Sequence, residues 1–283
     1  MIQSVRRRAS IYGALFAMVP KMFMAYQLWF WAGLVMNVIS ITILYFFWNA
    51  IYDNSAVISG LAREQTINYI LLAFFFMPLV SNDLIWEFGS NLREGLMIHH
   101  LLRPVNFQAM NYAQQLSVLV TRLAFQVPIV VLAIFLFGLK FPTDFSTWMA
   151  FIISALLGFT VMFFFNWLLA CMTFYTTEIW GLGVLIEGMT FFLSGALVPL
   201  AMMPEWMRGI VLSVPFAQAL AVPVGLLSGI TSLSDAPRIW LIQILWIIGM
   251  WILSNLVFRV AVRKITVQAV SYTHLTLPTN REV

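Results

Sequence analysis

One ionisable group stands where charge is costly. Glu187 lies midway along the apolar run Ile179–Leu200. A carboxylate at the centre of a bilayer costs about 2.5–3.5 kcal/mol on insertion scales. Two readings are open for it: a ligand-facing or proton-linked carboxylate in a central cavity, or a structural hydrogen bond to another helix. Arg122 and Gln126 sit in a second apolar run, ahead of Pro128. A guanidinium there is expected to snorkel toward the headgroups. His99 and His100 are adjacent, and neighbouring helical residues do not share a face. They read as an interfacial polar pair rather than metal ligands. Cys171 is the single cysteine, so no disulfide framework exists. It reads as a packing residue. No G-x-x-x-x-G-K-[ST] sequence, no Gly-Lys pair and no H-E-x-x-H sequence occurs, and Gly181-Leu182-Gly183 lacks a third glycine. None of these residues forms a recognisable catalytic constellation.

The elements that hold these groups follow from composition. The chain is 62% hydrophobic and 9% charged. Soluble domains carry about 25% charged residues, so the solvent for most of this chain is lipid. A hydrocarbon core of about 30 Å takes some 20 apolar residues per helix. Six runs meet that need: Leu28–Ile51, Thr66–Ile85, Leu116–Leu139, Trp148–Thr173, Ile179–Leu200 and Arg238–Phe258. They are apolar all round, which predicts helices and an all-α integral membrane fold.

An even number of crossings puts both termini on one side. That side carries Arg6, Arg7, Arg8, Lys21, Arg93, Arg103, Arg259, Arg263 and Lys264, against Arg63, Lys140, Arg208 and Arg238 on the other. The bias predicts cytoplasmic termini in a cell (inner) membrane. The net charge of +4 then reflects anchoring against anionic lipid, with no nucleic acid as partner. Residues 1–27 are expected to form a helix lying in the cytoplasmic interface, and residues 28–270 the six-span domain.

The segment Ala201–Pro237 is too apolar for an ordinary exterior loop. It is broken by Pro204, Pro215 and Pro223, and predicts helices that dip into the outer leaflet and return. Backbone at that depth must be covered by protein or line a cavity. Ser154 with Gly158, and Gly225 with Gly229, stand at helix-packing spacing. Asn37, Asn49 and Asn166 are expected to bond between helices.

Two segments resemble the permease subunits of type-2 ABC transporters, the mostly exporting branch. One is Arg93-Glu94-Gly95-Leu96 followed by Leu101-Leu102-Arg103-Pro104-Val105. The other is Ser194-Gly195-Ala196-Leu197-Val198-Pro199-Leu200, then Met203-Pro204 and Val214-Pro215-Phe216. The first is similar to a cytoplasmic G-x-L…L-L-R-P-V segment, the second to an S-G-x-x-x-P-L…P…P-F signature. Within the family, the chain looks closest to the branch called uncharacterised export permeases. The resemblance implies a coupling helix over Asn91–Arg103 that docks on a separate ATPase. Its contacts would be Arg93, Glu94, Gly95, His99, His100, Arg103 and Pro104. It implies a re-entrant signature at Gly195, Pro199, Pro204 and Pro215, and a path lined by Asn37, Ser40, Glu187, Phe191 and Ser194. No cofactor is expected on this chain; ATP and Mg²⁺ belong to two copies of the partner ATPase. A second six-span permease, related or identical, completes the path.

A carboxylate near aromatic rings suits an amphipathic or cationic small molecule. Two alternatives are an ABC permease for a lipid-linked glycan or polysaccharide, and a proton-coupled secondary transporter. Ser271–Val283 is polar and Thr-rich, resembles translated sequencing-adaptor read-through, and is expected to be non-native.

Overall fold

The computed structural model describes residues 27–81, 83–176 and 179–273, with Gly13, Pro20 and Lys21 besides. The expected interfacial helix over residues 1–27 lies almost wholly outside the described residues, as does most of the tail. Helix α1 is Gln27–Tyr52. A small antiparallel hairpin, β1 (Val57–Ile58) and β2 (Leu61–Ala62), turns the chain into α2, Arg63–Phe75. Then come α3 (Leu84–Arg93), α4 (Met97–Leu101), α5 (Phe107–Phe137), α6 (Phe145–Ala170) and α7 (Trp180–Leu193). Three short helices follow, α8 (Glu205–Leu212), α9 (Pro215–Ala219) and α10 (Ala221–Ser228). Helix α11, Ala236–Thr273, closes the described chain.

Among the described residues, four helical segments are long and apolar enough to cross a membrane: Trp31–Tyr52, Phe107–Phe137, Phe145–Phe174 and Leu233–Lys264. Their boundaries have local causes. Asn106 caps α5 by accepting from the Ala109 N–H at 2.8 Å, and Gly138, at φ 68°, ends it in the left-handed conformation. Asp144 caps α6 by accepting from the Thr147 N–H at 3.1 Å.

The other two expected runs differ from the sequence reading. Thr66–Ile85 is not one helix. It stops at Phe75, passes through a 3-10 turn at Met77–Leu79, and resumes as α3 at Leu84. Pro78 lacks an N–H and disfavours helical backbone at the residue before it, which favours a break there. The run stays apolar through the break, so hydropathy does not register it. In the fifth run, α7 has 14 residues, about 21 Å at 1.5 Å per residue. It ends because Gly195 takes φ 81°. Between the second and third expected runs, Trp86–Gln115 is largely helical, as α3, α4 and the start of α5.

Helix α6 is the central post. Its buried face includes Ser154, Gly158, Phe163 and Trp167. Helix α11 packs along one side, and α9 and α10 along another. Gly158 permits the closest approach: a Cβ there would lie 2.4 Å from the Gln218 carbonyl oxygen and 2.6 Å from the Ala219 Cα. The Ser154/Gly158 spacing therefore marks a real backbone contact. Gly225 and Gly229 do not mark one between long helices. Gly225 faces Thr231 in its own turn, and Gly229, at φ 76°, ends α10.

The break between α9 and α10 falls beside the middle of α6. Gln243 of α11, fully buried, satisfies it. Its Nε2 donates to the carbonyls of Gln218 at 2.8 Å and Ser154 at 3.0 Å. The Ser154 hydroxyl donates to its Oε1 at 3.2 Å. One side chain thus ties three elements together. Further along, Phe88, Phe107, Trp167, Phe174 and Phe258 form an aromatic cluster that joins α3, α5, α6 and α11.

Gly158→Ala is expected to lower the melting temperature of detergent-solubilised protein by several degrees, since overpacking costs about 1–3 kcal/mol. Gly249→Ala, with open space at its Cβ position, is expected to leave it level or slightly higher. Equal melting temperatures for the two variants contradict the close approach of α6 and α9.

Candidate functional site

The break between α2 and α3 opens space on both sides of Met77 and Ser81. One cavity, about 560 Å³, is lined by Asn37, Ser40, Ile43 and Leu44 of α1, by Phe74, Met77, Pro78 and Ser81, by Arg122 and Gln126 of α5, and by Phe191 and Leu197. A second, about 420 Å³, is lined by Met77, Val80, Ser81, Asp83, Ile85 and Trp86, by Asn166 of α6, and by Gly183, Ile186, Glu187, Gly188, Thr190 and Phe191. They share Met77, Ser81 and Phe191, and so adjoin.

Four of the five expected path residues meet here. Asn37 and Ser40 line the first cavity, Glu187 the second, and Phe191 both. Ser194 does not join them. It is fully buried, its hydroxyl has no hydrogen-bond partner, and its carbonyl accepts from the Ala221 N–H at 3.0 Å. Its neighbour Gly195 presents its carbonyl to the Tyr69 hydroxyl at 3.1 Å. A Cβ on Gly195 would lie 2.8 Å from that of Ala221. Both residues hold the turn after α7 against the start of α10.

The charges are arranged in a simple way. Arg122, expected to snorkel, pairs with Asp83 at 2.5 Å. Asp83 precedes α3 but makes no capping bond with its side chain; the carboxylate goes to the guanidinium instead. Glu187 accepts from the Trp86 indole N–H at 3.3 Å. The first two charges cancel, leaving one carboxylate among mainly apolar walls. The expected inter-helix bonding of the asparagines holds only in part. Asn37 and Asn166 donate to carbonyls one turn back on their own helices, at 2.9 and 3.0 Å. Asn49 does bridge, accepting from Arg63 of α2 at 2.8 Å.

Asp83, Trp86 and Thr190 were not singled out in the sequence, and Asn166 was read only as a bond between helices. Asp83 and Trp86 sit at the end of an expected span and read as its flank. The available signal was Pro78 inside an apolar run, which marks a break that side chains must line.

The expected coupling helix over Asn91–Arg103 is not continuous. Helix α3 ends at Arg93, Gly95 turns the chain at φ 71°, and only Met97–Leu101 is helical again. The left-handed glycine interrupts what composition leaves helical. Met97 anchors the segment in the core. Arg93, Glu94, Gly95, His99, Arg103 and Pro104 are exposed, and so are the apolar Leu96, Ile98 and Leu102. His100 is half-buried and its Nδ1 has no partner. Burial first, then Arg103 and His99, pushes its pKa below the ordinary histidine value. Of the re-entrant residues, Pro199, Pro204 and Pro215 each stand at the start of a short helix, where a missing N–H costs nothing.

Residues 38–269 match a family model described as ABC-2 family transporter protein. The chain belongs to that family. This ABC-2 permease is a multi-pass membrane subunit of a transporter, and the family works with an ABC ATPase. The match takes in the exposed segment around α4, the three short helices and every residue lining the two cavities except Asn37. No curated protein and no solved structure matches the chain.

The lowered His100 pKa carries a pH dependence with a definite sign. Burial disfavours the charged imidazole in the fold, so acidification through the ordinary histidine range favours states in which it can charge. Between about pH 7.5 and 5.5, amide exchange in residues 97–105 is expected to quicken, and His100→Gln to abolish the change. An acid response that survives in His100→Gln assigns it elsewhere.

Proposed function

We propose that this permease is one half of an ATP-driven exporter for amphipathic or cationic small molecules. The observation that carries the reading is the pair of adjoining cavities with one charge left unbalanced, the Glu187 carboxylate. A site of several hundred Å³ with apolar walls and few polar groups is what drug-sized ligands take. An organic cation would place its charge at Glu187, where aromatic faces add attraction. Its apolar body would extend past Phe191 toward Asn37 and Ser40.

The chain then crosses the membrane six times. The second crossing is α2 with the turn that follows it, and the fifth is α7 with the residues after it. The three short helices α8, α9 and α10 form the outer re-entrant segment. Both termini face the cytoplasm of the cell (inner) membrane. The exposed segment from Arg93 to Pro104 docks on the ATPase, with Leu96, Ile98 and Leu102 as its apolar contacts. Two ATPase copies, carrying ATP and Mg²⁺, and a second permease complete the assembly. ATP closes the ATPase pair and shifts the permeases toward a state with weaker cargo contacts; hydrolysis resets it. A ligand moves such an equilibrium only by its difference in affinity for the two states.

Glu187→Gln tests the site. Losing one charge contact of ~1.4 kcal/mol weakens binding about tenfold. Cells carrying the variant are expected to lose tolerance to tetraphenylphosphonium while still exporting a neutral apolar dye. Unchanged tolerance, with the variant present in the membrane at wild-type level, removes Glu187 from the path.

A further inference from the structure

We infer that Trp86 is the residue through which occupancy of the cavity is communicated to the segment after α3. The inference rests on the exporter reading and deepens it.

Two contacts bring α3 against α7 and its start. At the first, a Cβ on Gly89 would lie 2.2 Å from the Ile179 Cδ1. At the second, the Trp86 ring lies on Gly183: a Cβ there would lie 2.3 Å from Cζ2 and 2.8 Å from Cη2. Any side chain at Gly183 would push the indole away. Glu187 is one turn further on the same face of α7, and accepts the indole N–H at 3.3 Å. Trp86 is thus seated by a glycine and oriented by the carboxylate that the cargo would engage.

Cargo and indole therefore use the same group. A cation arriving at Glu187 competes for the oxygen that Trp86 holds, and offers its charge to the ring face. Either event changes how α3 is held against α7. Helix α3 has ten residues, about 15 Å in length. Its near end carries Trp86, and Asp83 just before it holds Arg122. Its far end is Arg93, where Gly95 turns the chain into α4. A shift of α3 at the cavity is a shift of the exposed segment, within one rigid element. The same contact works in reverse: movement of that segment alters the hold on Glu187.

The test uses the permease assembled with its ATPase in lipid nanodiscs. In Trp86→Phe the ring remains and the donor is gone. At tetraphenylphosphonium concentrations shown by direct binding to saturate the variant, its stimulation of ATP hydrolysis over the basal rate is expected to disappear. Stimulation equal to wild type overturns the inference. A second arm needs no cargo. Trp86→Cys combined with Gly183→Cys, joined by a short thiol-reactive cross-linker, is expected to lower ATP hydrolysis about fivefold or more against the same protein before cross-linking. Unchanged hydrolysis in the fully cross-linked protein also overturns it. Absence of tetraphenylphosphonium binding to the wild type, with the cross-link still inhibiting, overturns the cation reading and leaves the link from α3 to α7 standing.

Discussion

Inside a bilayer no water is available to a loose backbone group, so every break in a helix must be satisfied by the protein itself. This constraint organises the molecule. At the α9–α10 break, Gln243 supplies the donor for the Gln218 carbonyl. After α7, the Tyr69 hydroxyl and the Ala221 N–H satisfy Gly195 and Ser194. Between α2 and α3, the Phe76 N–H reaches back to Leu72 and the Leu79 N–H to Phe76, both at 2.9 Å. The first two breaks are sealed by packing. The third lines cavities, the other setting in which irregular backbone is tolerated at depth.

The result is a molecule with two unlike sides. Helix α6 is enclosed by α9, α10 and α11, with a buried polar tie at its centre. Helix α7 buries only Gly183, Ile186 and Thr190, and α1 presents Trp31, Val35, Met36 and Phe46 outward. Elements with few buried contacts are those that open and shift most readily. The cavities lie between these lightly held helices and the broken second segment. On the proposed reading, cargo binding and movement are concentrated on one side, with the α6 post as the fixed wall.

Much of this was legible in the sequence, for physical reasons. Sustained hydropathy marks the four long helices, because lipid selects for apolar residues all round a span. The spacing of Ser154 and Gly158 marks the contact with α9, because only small residues let backbones meet. Glu187 stood out through the cost of its charge. What could not be read depends on backbone conformation or on distant partners. The run is as apolar before the break (Phe74-Phe75-Phe76-Met77) as after it (Leu79-Val80), and only Pro78 hints at it. Gly95 and Gly195 take left-handed conformations that composition does not announce. The pairing of Arg122 with Asp83, and of Trp86 with Glu187, joins residues far apart in the chain, and no periodicity relates them. Ser194 carried a motif yet serves the turn, because its neighbours close over it.

The central claim is that cargo moves through this cavity on energy delivered from an ATPase. Its most direct test is uptake of tetraphenylphosphonium into inside-out proteoliposomes containing the permease and its ATPase. The account predicts uptake that requires hydrolysable ATP and stops with a non-hydrolysable analogue. Uptake driven by an imposed proton gradient, with no nucleotide hydrolysed, would contradict it.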